Sequence, residues 1–312
     1  MGQRETGSKQ NVYLDIYDTG LNIPATIICG TDTGRQITLA AGIHSREYIG
    51  IQALTELAEE LRPQDIAGRV VILHCCNYDG FIRRSADIVP QDGKNLNQVF
   101  PGDPAGTAAQ RVAAYLEEQV IQASDYIVDF HSGGFCESLT PHVYFQGTAE
   151  CAVCAVSEQI ARLTRVPYIV RSGAENGFYS WAGQRGVPAV LVERGGCGLL
   201  DRREVEADIA DARNILRGLG FLRDGGMAAQ YPHRVIRTAY FEDAPCSGCW
   251  HPAKAPGDLI AVGERLGTIR SIYGELLAHV FAKTAGVILY QTASLGLEKG
   301  TPMIAYGALT DA

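Results

Sequence analysis

Apolar residues recur at Ile51, Leu54, Leu57, Ala58 and Leu61. Steps of three and four predict a helix over 47–61 with one buried face, and Pro63 stops it. The same reading predicts helices over 105–121, 149–163, 178–185 and 201–219. The last carries Asp201 and Glu204 in its early turns and Gly220 at its exit, as helix termini favour. Continuous apolar runs alternate with these helices at 23–29, 37–41, 70–75, 126–131 and 188–192, with a shorter run at 142–146. Unbroken runs of this length fit strands covered on both faces. Segment 77–102 has Gly, Pro, Asp and Asn at intervals and no period. It reads as a long ordered loop, a feature that in compact domains is usually functional.

This alternation predicts an α/β fold with a largely parallel or mixed sheet flanked by helices. The pattern changes after Gly226. Short β-like runs follow at 234–240, 259–262, 266–272, 276–281 and 287–290, separated by turns such as Pro256-Gly257 and Tyr273-Gly274. The expected organisation is a catalytic domain over 1–226 and a small C-terminal all-β domain over 227–312. The smaller domain has three candidate roles: structural support, a wall of the active site, or homo-oligomerisation.

At 46% hydrophobic and 20% charged, the 312-residue chain reads as globular. Lys and Arg number 27 against 35 Asp and Glu, a formal charge of −8. An acidic balance without a basic aromatic stripe excludes a dominant nucleic-acid footprint and leaves a small-molecule substrate as the expected partner. The first ten residues lack the apolar run of a signal peptide, and no run is long enough to span a bilayer. Nine cysteines, several in apolar runs, suit a reducing compartment. A cytoplasmic protein with no membrane partner is therefore expected. Cys151/Cys154 and Cys246/Cys249 form CxxC pairs; the first sits in a helical pattern and reads as packing, and the second is a weak candidate for a structural metal.

The chemical candidates cluster where strands end, the place where open α/β sheets bind ligands. His44 and Glu47 lie three apart at a strand-to-helix junction, which puts both on one face of the first turn. His131 ends the strand over 126–131, and Glu193 ends the one over 188–192. Two His and one Glu leave a fourth coordination position open, the catalytic rather than the structural arrangement of zinc. Asp129 shares a side of its strand with His131 and is a candidate to support it.

These segments resemble known motifs. Ala41-Gly42-Ile43-His44-Ser45-Arg46-Glu47 is similar to the first zinc motif of the zinc carboxypeptidase superfamily. Asp92-Gly93-Lys94-Asn95-Leu96-Asn97-Gln98-Val99-Phe100-Pro101-Gly102 resembles the signature of its succinylglutamate desuccinylase and aspartoacylase branch. Asp129-Phe130-His131-Ser132-Gly133-Gly134 and Val192-Glu193-Arg194-Gly195-Gly196 resemble that branch's second zinc motif and catalytic-glutamate strand. The tail, with Cys246-Ser247-Gly248-Cys249-Trp250, is similar to its β domain. The resemblance implies one Zn2+ held by His44, Glu47 and His131, with Glu193 as general base and then acid. It implies deacylation of a small N-acylated amino acid or related compound. It also implies an arginine that stabilises the oxyanion, for which Arg84 is the first choice and Arg83 the second, and it makes Asn97 the residue that orients substrate.

One position departs from the pattern. The branch carries an arginine that clamps a substrate carboxylate where this chain has Gln98. A neutral amide cannot replace a cationic fork. Either the substrate is uncharged there, or Arg46, Arg171 or Arg194 supplies the charge. Glu175 is a candidate partner for a cationic substrate group and equally reads as a surface carboxylate. The alternatives are carboxypeptidase-like cleavage of short peptides and an inactive metal- or ligand-binding member.

Overall fold

The computed structural model describes residues 5–85 and 87–309. The strands begin with β1 (Ser8–Asp15), β2 (Asn22–Cys29), β3 (Gln36–Ala41) and β4 (Arg69–Leu73), followed by the tiny hairpin β5 (Ile88–Val89) and β6 (Lys94–Asn95). Then come β7 (Tyr126–His131), β8 (Glu137–Leu139), β9 (His142–Gln146), β10 (Tyr168–Ser172), β11 (Ala189–Glu193) and β12 (Arg234–Ile236). The C-terminal strands are β13 (Ala239–Asp243), β14 (Gly248–Pro252), β15 (Leu259–Ile260), β16 (Arg265–Arg270), β17 (Leu276–Phe281), β18 (Gly286–Thr292), β19 (Gly296–Leu297) and β20 (Pro302–Ala308). Six α-helices are described: α1 (Tyr48–Glu60), α2 (Tyr78–Arg83), α3 (Ala108–Tyr115), α4 (Cys151–Ala161), α5 (Phe178–Gln184) and α6 (Arg202–Gly218).

Nine strands form one mixed sheet in the order β1-β2-β4-β3-β7-β11-β9-β10-β12. Its centre, β4-β3-β7-β11, is parallel. The apolar runs of β3, β4, β7 and β11 are buried because helices cover both faces. On one side α1, α4 and α6 pack through Leu54, Leu57, Ile160 and Ile215. On the other, α3 and α5 pack through Val112, Phe178 and Ala182. This is the expected mixed α/β sheet flanked by helices. No described helix is long and apolar enough to cross a membrane.

The C-terminal residues form a smaller β-rich region of two sheets, β13-β20-β18-β15 and β17-β16-β14-β19, around Trp250, Leu266, Ile288 and Tyr306. The two regions exchange strands. β12 extends the large sheet beside β10, while β8 leaves the catalytic region and pairs with β18. The division expected at 226/227 falls in a stretch with no helix or strand, yet elements on both sides of it cross over.

Three local expectations differ from the structure. The loop over 77–102 holds α2 and the β5–β6 hairpin, each too short to leave a period in the sequence. The helix over 105–121 is α-helical only to Tyr115, then widens to a π turn and ends in a 3-10 turn. Strands β10 and β20 were not among the expected strands: exposed Arg171 shortens the apolar run of the first, while the second holds the run Met303-Ile304-Ala305-Tyr306 that the reading passed over.

Helix α1 approaches the central strand β7 at Gly50. A Cβ there would stand 2.6 Å from Phe130 Cβ. Gly50→Ala should therefore lower unfolding stability by about 1–3 kcal/mol through overpacking. Equilibrium denaturation with urea measures this, and an unchanged midpoint would contradict the close approach.

Candidate metal centre and its cavity

The site grows from three adjacent strand ends. β3 stops at Ala41, and Gly42 turns the chain with φ 69°. A Cβ on Gly42 would meet Cys75 Sγ at 2.6 Å, so glycine is required there twice over. The turn presents His44 and Glu47 just ahead of α1, which starts at Tyr48, so the pair occupies the turn before the helix and not its first turn. β7 delivers His131 and β11 delivers Glu193. These two residues are direct partners in the parallel register.

Glu47 lies between the two imidazoles. Its Oε1 is 2.7 Å from His44 Nδ1 and its Oε2 is 2.8 Å from His131 Nδ1. The backbone N–H of Ser132 donates to the same Oε2. Ligand atoms of His44, Glu47 and His131 all lie within 4.8 Å of one another, the one such group among the described residues. Burial pushes the Glu47 carboxyl up, but His131 and His44 outweigh it and bring it down to about 2. Glu47 is thus ionised, as a metal ligand must be.

The far side of each ring is held. His44 Nε2 lies 3.2 Å from Asn95 Oδ1, which also accepts from the Asn97 N–H. His131 Nε2 lies 3.1 Å from Asp129 Oδ2, an ion-pair distance without hydrogen-bond alignment. With Nε2 turned to Asn95 or Asp129, the Nδ1 atoms face Glu47 and are the inward ligand atoms. The donor set therefore fits a divalent cation with an open fourth position.

The triad forms the floor of a cavity of about 600 Å³. Glu193 lines it with Oε2 buried and without a hydrogen-bond partner. Burial, and next the charge of Glu47, push its carboxyl well above the usual range. Tyr144, Tyr179 and Leu191 form one wall, and the C-terminal region closes another with Phe241, Tyr290 and Met303. Of the roles open to the C-terminal region, walling the site is thus one it fills.

The succinylglutamate desuccinylase/aspartoacylase catalytic-domain model matches residues 33–219, more than half of the chain. The chain belongs to this family. A curated relative, the N-alpha-acetyl-L-2,4-diaminobutyric acid deacetylase of Halomonas elongata, is 27% identical over 270 residues, 84% of this chain and 75% of the relative. The crystal structure of a succinylglutamate desuccinylase/aspartoacylase from Rhodobacter sphaeroides superposes with a TM-score of 0.85 at 25% identity, covering 100% of this chain and 99% of the other. The product-bound ectoine utilization protein EutE (DoeB) of Ruegeria pomeroyi superposes with a TM-score of 0.84 at 25% identity, covering 96% and 93%. With the triad, family membership makes this chain a metal-dependent hydrolase of the deacylase type.

The remaining candidates separate. Asn97 lines the cavity, and its Oδ1 accepts from the Phe178 N–H, which leaves the amide nitrogen for a ligand. Arg84 and Arg83 do not line it. Arg84 caps α2 in a left-handed conformation and faces a separate surface pocket with Tyr48 and Leu200, while Arg83 pairs with Asp79 at 2.9 Å. The helical turn of α2 carries both arginines away, and Asp87 enters the cavity instead. Gln98 and Glu175 are exposed and also outside the lining. None of the substitute cations lines it, although Arg46 stands behind the lining residue Phe135 and its charge bears on Asp87. Arg171 donates to the Gly147 carbonyl, and Arg46 stacks 4.5 Å over the Phe135 ring. Arg194 turns to the opposite face, where it pairs with Asp208 at 3.2 Å and Asp211 at 2.5 Å.

Sequence reasoning missed Asn95, Asp87 and Glu137. Asn95 sits within the recognised signature, so its position was visible but its contact was not. Asp87 stands three residues after Arg84, and a search for a cation passes over it. Glu137 reaches the cavity through β8, a three-residue strand with no period of its own.

Two outcomes test this geometry. Asp129→Asn should weaken metal binding about 10–100-fold, and Glu47→Gln by more, in competition titrations with a chromophoric chelator. Unchanged affinity in both variants would contradict the site. Arg194→Met should destabilise the fold by about 3–5 kcal/mol, because Asp208 and Asp211 stay buried without their cation. Thermal and urea unfolding would read this, and a neutral effect would show that the pair carries no such burden.

Proposed function

We propose that the chain is a zinc-dependent amidohydrolase that removes the acyl group from a small N-acylated amino acid or related compound. The observation that carries this reading is the convergence of His44, Glu47, His131 and Glu193 from three neighbouring parallel strands into one cavity. Two imidazole nitrogens and one carboxylate suit zinc. Zinc, when bound in such a site, acidifies a water and polarises a carbonyl.

The protein's own residues supply the rest. Glu193 stands beside His131 on the neighbouring strand and takes a proton from the attacking water. The water oxygen bonds to the acyl carbon, the C–N bond breaks, and Glu193 returns the proton to the leaving nitrogen. A raised carboxyl pKa suits a group that must both accept and donate. Asn97 orients the substrate through its amide N–H groups. Burial raises the hydroxyl pKa values of Tyr144 and Tyr290, so both remain donors on the wall near Glu193. They are the neutral groups suited to oxyanion contact in a lining without arginine or lysine.

The cavity's volume and its cover by the C-terminal region favour a small molecule over an extended peptide. The relative named for deacetylating an N-acetylated diamino acid supports an acyl-amino-acid substrate.

Glu193→Gln should lower kcat about 10²–10⁴-fold on N-acetyl amino acids while metal content stays at one ion per chain. Dipicolinate should abolish turnover, and added zinc should restore it. Full turnover by metal-stripped protein, or by Glu193→Gln, would overturn the proposal.

A further inference from the structure

Charge around the cavity is one-sided. Its lining includes four carboxylates, Glu47, Asp87, Glu137 and Glu193, and no lysine or arginine. A divalent cation on the triad offsets the charge of Glu47, and no cationic side chain of the described lining faces Asp87 or Glu137. Glu47 and Glu193 are occupied by ligation and proton transfer. Asp87 and Glu137 are left over.

Neither forms a described salt bridge, and the cations that bear on them are the two ligand imidazoles and, for Asp87, the more distant Arg46. Asp87 carries a buried Oδ1 with no hydrogen bond among the described residues, and its carboxylate sits against Gly134, 3.5–3.6 Å from where a Cβ would stand. Glu137 is held in place by its backbone. It pairs with Thr292 in the β8–β18 ladder, and its carbonyl accepts from the Cys197 N–H. Half-buried carboxylates gathered in one cavity repel one another, and a cationic ligand relieves that repulsion. Elsewhere the same chain pairs buried acids, as Arg194 does with Asp208 and Asp211. The acids of the cavity are therefore left for something that enters it.

We propose that Asp87 and Glu137 select a substrate bearing a protonated amine apart from its scissile amide, that is, an N-acylated diamine or basic amino acid. This rests on the hydrolase reading and adds the charge of its substrate. With Asp87 and Glu137 in the lining, a carboxylate in the substrate's side chain meets repulsion. The apolar wall of Tyr179, Leu191 and Met303 suits the alkyl part of such a molecule.

The test uses the zinc-loaded full chain and N-acetyl substrates matched in length: N-acetyl-2,4-diaminobutyrate, N-acetylnorvaline and N-acetylglutamate. With the α-carboxylate common to all three, the expected order of kcat/KM follows the side chain, cationic over neutral over anionic, with about tenfold or more between the first two. Asp87→Asn and Glu137→Gln should each shrink the cationic-to-neutral ratio severalfold, mainly through KM, and added salt should do the same. Equal rates across the series, or an anionic preference, would overturn the proposal while leaving the hydrolase reading intact. If nothing is turned over, the hydrolase reading fails. Calorimetry with free 2,4-diaminobutyrate against norvaline then still decides the charge preference. Tighter binding of the diamine, lost in Asp87→Asn, supports it, and equal binding refutes it.

Discussion

The parallel pairing of β3, β7 and β11 is the constraint on which the site depends. Its register sets Ala41 beside Phe130 and His131 beside Glu193. A slip of one residue would turn every side chain of a strand to the other face. His131 and Glu193 would then leave the cavity together. The buried runs on both faces hold this register, since Leu39, Val128 and Val190 pack under α1 and α6 while Ala40, Ile127 and Leu191 pack under α3 and α5. Burial of the core and placement of the chemistry are thus one event.

Electrostatics follow from that placement. Bringing Glu47, Glu193, Asp87 and Glu137 together in a cavity is unfavourable for the isolated chain. Burial and mutual repulsion push Glu137 up to about 7 and Glu193 well above the usual range. A dication on the triad and a cationic substrate relieve the same strain from two sides. The second acidic group in the protein, around Arg194, is relieved internally and holds α6 against the strand that bears Glu193. One cluster serves stability and the other is kept open for ligands.

Much of this was legible in the residue pattern. The strands over 23–29, 37–41, 126–131 and 142–146 and four of the five periodic helices match described elements to within a few residues, because a continuous core imposes the pattern. The metal ligands were legible because they sit at the ends of those strands. Contacts made by irregular segments were not. Arg84 and Asp87 lie in one stretch, and only the turn after α2 decides which enters the cavity. The wall formed by Tyr290 and Met303 depends on how β8 joins the C-terminal sheet. That long-range pairing of a three-residue strand leaves no trace in local periodicity.

The central claim concerns three side chains around one ion. A crystal structure of zinc-soaked protein, with anomalous data collected on both sides of the zinc edge, tests it most directly. The account predicts one strong peak about 2.0–2.2 Å from His44 Nδ1, His131 Nδ1 and a Glu47 oxygen, with Asn95 and Asp129 still backing the two Nε2 atoms. A peak bound through Nε2, or lying away from the triad, would contradict it.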